Sequence, residues 1–262
     1  MFSRWMHKYL PPRPPGKTEV LRGKLLVDKN DLKPVKVTRQ LQDWQIKCVC
    51  GGVHKTCNNG WMRFEIEDKA RPILIPLMKG ESFRISPTQQ HKLAAWIALK
   101  CMISEFDVGS YVTTHHSQRK RMLRTHKPPE KGWGIWIGNC NRENPRPAWS
   151  SMAFSVKPNP KKNLDLNKPP THYNSHASTQ VINKLFIQVI RMPEFGFIST
   201  WHFKLPDGGV LFRIWPPAQF SINWPARALS DKETRLVADA FEHHIMGIAR
   251  KRTVKGNTPS IK

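Results

Sequence analysis

The sequence predicts an α+β protein, helical first and sheet-rich after, and three observations carry that prediction. Apolar residues recur at helical spacing through residues 57–106. Short apolar runs bounded by turn signals recur through residues 133–214. A helix-start signal at Ser230 then opens a last apolar stripe. Helices and strands that segregate along a chain favour a mostly antiparallel sheet over an alternating parallel one, and the last helix is expected to close it. A boundary near residue 108 is expected to part a helical region, 1–108, from a β-rich domain, 109–262, that ends in a helix and a basic tail. Of the 262 residues, 39% are apolar and ten are Trp, which is enough for packed cores and excludes wholesale disorder.

Each element has a local reason. Phe2, Trp5, Met6, Tyr9 and Leu10 are spaced for a short amphipathic helix, stopped by the prolines at 11, 12, 14 and 15. Residues 18–28 and 33–49 read as lysine-rich short strands or loops. Trp61, Phe64, Ala70, Ile73, Leu74 and Leu77 place a helix over 57–80, which Pro72 and Pro76 should break or kink. The clearest helix covers 87–106. Ser86 caps it, Pro87 suits its first turn and Gln89 completes a capping box. Leu93, Trp96, Ile97 and Cys101 give it one mostly apolar face, and Gly109 is expected to end it.

Strands are expected at 134–138 and 151–156, followed by a polar loop over 157–177. The apolar run 181–190 reads as one buried strand. Pro206-Asp207-Gly208-Gly209 between two apolar runs signals a hairpin. Ser230 and Glu233 form a second capping box, ahead of Leu236, Val237, Ala240, Phe241, Ile245 and Ile248.

The charge is extreme. Forty-three Lys and Arg oppose nineteen Asp and Glu, a formal net charge of +24. Such an excess repels itself in a compact state, and a polyanionic partner relieves it; nucleic acid is the first expectation. No apolar run approaches the roughly 20 residues of a membrane span, so no membrane partner is expected. Five cysteines, an odd number, and a start without a signal-peptide core fit a reducing, cytoplasmic setting.

The densest chemical cluster is Cys48, Cys50, His54 and Cys57, three thiols and an imidazole within ten residues. Thiolate sulfur and neutral imidazole nitrogen are zinc ligands, and Gly51-Gly52 would let a short loop fold round a structural zinc. The spacing is tighter than the usual two-residue gap, and small buried cysteines beside a turn would give the same pattern.

The residues that follow carry a resemblance. Cys57-Asn58-Asn59-Gly60-Trp61-Met62, then Glu67, then Ala70-Arg71-Pro72-Ile73-Leu74-Ile75-Pro76-Leu77, resembles bacterial HNH endonuclease-like proteins. Residues 93–98 and 134–138 resemble continuations in that group, so the resemblance covers roughly residues 1–140. It implies a partial HNH fold, a ββα-metal-like Cys loop, in the helical region. It also implies that Cys57 is a zinc ligand with Cys50 as its partner, and that Asn58 is the active-site asparagine. The six residues between Cys50 and Cys57 exceed the family's short gap.

In that family a Cys-x-x-Cys knuckle and a Glu-His pair precede a segment like Phe2-Ser3-Arg4-Trp5-Met6, which sets Met1 just after the Glu-His. HNH chemistry uses that histidine as general base and a metal, usually magnesium, to offset charge on the phosphate. Removing a general base costs about 10²–10⁴-fold in rate. Two expectations follow: a chain with further upstream sequence that cleaves phosphodiesters, or one that binds DNA without cleaving it.

Three cationic patches are expected to hold phosphates. Arg119, Lys120, Arg121, Arg124 and Lys127 form the densest; Lys161 and Lys162 lie in the loop over 157–177; the tail holds the third. Phosphate contacts carry no base specificity, so the expected partner is DNA bound without sequence preference. A non-catalytic protein meeting RNA or an acidic protein partner is the alternative.

Overall fold

A computed structural model describes residues 3–10, 19–22, 35–38, 46, 48–49, 57–107, 112–142, 148–154, 175–192 and 202–238. The fold is mixed α and β, and every strand pair within its sheets is antiparallel.

A 3₁₀ turn, Arg4–Tyr9, replaces the short helix expected at the start and still buries Met6. Strands β1 (Glu19–Arg22) and β2 (Val35–Thr38) pair as a small ribbon. A wide π-type helix, Cys57–Glu67, bends at Gly60 and runs into α1 (Asp68–Lys79). Pro72 and Pro76 do not break α1. They stand four apart, on one stripe, with Pro72 exposed and Pro76 half-buried. The carbonyls that lose their amide partners, Asp68 and Pro72, lie along that stripe near water, while Ala70, Ile73, Leu74, Leu77 and Met78 bury the opposite one.

β3 (Phe83–Ile85) leads into α2 (Pro87–Ser104). The capping box forms as read: Gln89 N–H donates to Ser86 Oγ and Ser86 N–H donates to Gln89 Oε1 at 2.8 Å. Such a cap is worth about 0.5–2 kcal/mol. α2 gives way at Ser104 to a 3₁₀ turn, Glu105–Asp107, earlier than the stop expected at Gly109, which lies outside the described residues. It is also buried on more than one face: Leu93, Ala94, Ala95, Trp96, Ile97, Ala98 and Leu99 are consecutive buried positions. A helix apolar all round belongs in the middle of a core.

The main sheet has six strands in the order β5-β6-β7-β4-β9-β8. They are β4 (Trp133–Asn139), β5 (Ala148–Phe154), β6 (Ser175–Ile182), β7 (Leu185–Arg191), β8 (His202–Lys204) and β9 (Val210–Trp215). The apolar run 181–190 is therefore a hairpin and not one strand. β6 turns through Asn183 and Lys184 into β7, with Asn183 at φ 55 and Ile182 opposite Leu185. The hairpin at 206–209 forms as read, with Gly208 at φ 86, a left-handed conformation that favours glycine.

Side chains alternate across the sheet. Ile135, Ile137, Leu185, Ile187 and Val189 face the core they share with Leu74, Leu93, Trp96 and Ile97. Trp136, Phe186, Ile190 and Leu211 face the other way, where Leu229 and Val237 cover them. Val237 belongs to a helix described over 231–238, α4, so a last helix does cover the sheet. The expected stripe beyond Val237 and the basic tail lie outside the described residues.

Residue 108, where the boundary is expected, lies outside the described residues, and packing crosses from one side of it to the other. Met6, Leu74, Leu93 and Trp96 share one core with Ile135, Ile187, Ile214 and Trp224. β3 pairs with β10 (Ile222–Trp224), joining the two proposed halves backbone to backbone. The physical reason is α2, whose several apolar sides need the sheet to cover them.

Candidate nucleic-acid interface

The densest cationic run folds as the helix α3, His116–Thr125. His115 caps it, its imidazole accepting from the Ser117 amide. One side of α3 is anchored. Met122 is buried in the main core. Arg119 turns inward, where its guanidinium binds the Glu105 carboxylate, donates to the Met102 carbonyl at 2.8 Å and the Thr114 carbonyl at 3.3 Å, and lies 4.5 Å from the Phe106 ring.

Glu105 is the fixed point of that anchor. Its side chain has no exposed surface and also accepts from the amides and hydroxyls of Thr113 and Thr114 at 2.7–3.1 Å. Arg119 therefore stands apart from the exposed members of the expected phosphate-binding set. Its charge is held by a buried carboxylate, and removing one member of such a pair strands the other at a cost of about 3–5 kcal/mol.

With Arg119 and Met122 pinned, the other side of α3 faces water. Lys120, Arg121 and Arg124 are exposed, and so is Lys127 just beyond. Arg121 pairs with Glu130, itself exposed. Among the described residues Lys120, Arg124 and Lys127 form no ion pair. Lys161 and Lys162 lie outside the described residues.

A second element adjoins this face. α3 ends at His126, whose φ of 54 turns the chain left-handed while its amide donates to the Met122 carbonyl at 2.8 Å. The imidazole lies flat on Trp61, with ring centres 5.6 Å apart at 16°. Its Nδ1 is 3.8 Å from Glu65 Oε2, and the Lys69 ammonium holds Glu65 below the usual carboxylate range. Phe64, next to Glu65, is 56% exposed, and the Arg63 guanidinium sits 5.4 Å from its ring. Leu123 on α3 is 45% exposed. Asn58 is exposed in the same wide helix.

The expected metal ligands divide. Cys48 and Cys57 are half-buried, and Cys50 and His54 lie outside the described residues. Cys48 Sγ donates to the Ile103 carbonyl at 3.9 Å, and burial pushes its thiol up against the opposing pull of Arg119. Among the described residues no group of three or more His, Cys, Asp and Glu is placed to hold a metal ion.

The sequence reading missed two features. The first is the stacked Trp61 and His126, which no local spacing signals. The second is a buried polar layer beneath α2, where His176 and Gln180 of β6 lie near Cys101 and Glu105. Gln180 donates to Cys101 Sγ at 3.4 Å, and burial pushes that thiol up strongly. No helix among the described residues is long and apolar enough to cross a membrane. No family model, curated protein or solved structure matches the chain.

Proposed function

We propose that this protein binds nucleic acid, without sequence preference, through the outer face of α3. The observation that carries the reading is the division of charge on that helix. Arg119 is neutralised inside by Glu105, while Lys120, Arg121 and Arg124, with Lys127, are turned to water on a rigidly anchored element. In a chain at +24, such a face lowers its own repulsion by taking up phosphates and releasing their counterions. Cleavage enters the reading only through the resemblance to HNH endonuclease-like proteins, in which Asn58 would stand at the active site; binding is independent of it.

The test is fluorescence anisotropy with a labelled DNA duplex at salt concentrations from 50 to 300 mM, a span set by the steep salt dependence of phosphate contacts. The triple variant Lys120→Ala, Arg124→Ala, Lys127→Ala removes exposed side chains and should fold normally by circular dichroism. Each lost phosphate contact lowers the slope of log affinity against log salt by about 0.9, so the variant's slope should fall by roughly 2–3. An unchanged slope, or no binding by the parent protein at the lowest salt, overturns the proposal.

A further inference from the structure

We infer that the surface beside α3 receives the unpaired bases of single-stranded nucleic acid, with Phe64 as the stacking platform. The inference rests on the phosphate-binding reading of α3 and goes further by naming the form of nucleic acid. Among the described residues few large apolar side chains are exposed, and two of these, Phe64 at 56% and Leu123 at 45%, lie on the two elements that meet where His126 stacks on Trp61. Phe64 precedes Glu65, which lies against His126, and Leu123 stands three positions before His126 on α3.

An apolar patch rimmed by charge marks a binding surface. The charges here are mostly cationic: exposed Arg63, Lys120, Arg124 and Lys127 stand against Asp68, which lies 3.9 Å from Arg63, and Glu65, which Lys69 pairs. That complementarity selects a partner with both flat apolar faces and anionic links. Nucleobases joined by phosphates are such a partner, and only unpaired ones offer their faces, because a duplex hides them in its stack.

The backing is firm. Trp61 and His126 are already stacked on each other. His126 stands in the left-handed conformation at the end of α3 with its ring on Trp61. Phe64 projects from the same wide helix with the Arg63 guanidinium over its ring, so a base can stack on the aromatic face or the guanidinium plane.

The experiment compares an oligothymidine of 20 nucleotides with a duplex of 20 base pairs (longer than single-strand sites of roughly 4–16 nucleotides). Affinities are measured for the parent protein and for Phe64→Ala, Phe64→Leu and Phe64→Trp. Stacking of one base is worth enough that Phe64→Ala should weaken single-strand binding about 5- to 20-fold, with duplex affinity unchanged within about twofold. Phe64→Trp should restore single-strand binding, and Phe64→Leu should not, because it keeps apolar area but lacks a ring. Equal losses on both forms, rescue by leucine, or no loss in Phe64→Ala overturns the inference. If the parent binds duplex and the Phe64 variants change nothing, only the stacking role fails. If the parent binds neither form at low salt, the reading of α3 fails with it.

Discussion

A carboxylate without exposed surface survives only when its lone pairs are taken, and Glu105 takes five donors from Thr113, Thr114 and Arg119. His176 is buried on β6, and its Nδ1 has no hydrogen-bond partner among the described residues. Burial, above all, holds His176 below its ordinary value of 6.5; Glu105 opposes that shift and Arg191 reinforces it. The folded chain thus refuses a proton that the unfolded chain accepts. Stability is unaffected by this residue above about pH 6.5 and is lost progressively as pH falls below it. His91, lowered by burial and then by Lys127, acts in the same direction. Urea midpoints should therefore drop between pH 7.5 and 5.5, a window chosen to bracket the ordinary histidine value of about 6.5, and His176→Gln should make that drop smaller. An identical drop in the variant would show that His176 takes its proton without penalty. None of this was legible in the sequence, because Glu105, Arg119 and His176 come from three separate elements and share no spacing. The cationic run was legible; which of its members turns inward was not, since that depends on where a buried carboxylate lies.

At the scale of elements, signals that act over three or four residues were legible and those that need a distant partner were not. Both capping boxes formed, at Ser86 with Gln89 and at Ser230 with Glu233. The hairpin at 206–209 formed because Gly208 supplies the positive φ its turn needs. The turn at Asn183 and Lys184 has neither glycine nor proline, so the strands on either side of it read as one. Glu233 shows how a local signal acquires a tertiary role. Beyond accepting from Ser230 N–H at 3.0 Å, its carboxylate accepts from the amides of Asp207 at 2.9 Å and Gly209 at 3.2 Å, tying α4 to the β8–β9 turn. Glu233→Ala leaves three amides without that acceptor and should destabilise the protein by about 2–4 kcal/mol, read from chemical denaturation. A loss below about 0.5 kcal/mol, the size of an ordinary surface substitution, would mean that the tie between α4 and the turn is not needed.

At the scale of the whole molecule, the balance of helix and strand was legible from periodicity, and the core that the early helices share with the sheet was not. The sequence shows that α2 is apolar; only the structure shows that β4, β7 and β9 complete its surroundings. This arrangement has a consequence for how the protein is made. α2 ends at Ser104 and β9 begins at Val210, 106 positions later. At about 5–20 residues per second, a ribosome needs roughly 5–20 s to span that interval, and until it ends the sheet that covers the nascent helix is incomplete. Chains arrested at residue 130, ahead of the first strand of the main sheet, should accordingly be cut within α2 by dilute protease and be held by chaperones, whereas chains carried through residue 238 should protect it. Resistance of α2 in the shorter chain would show that the early helices shield one another before the sheet arrives.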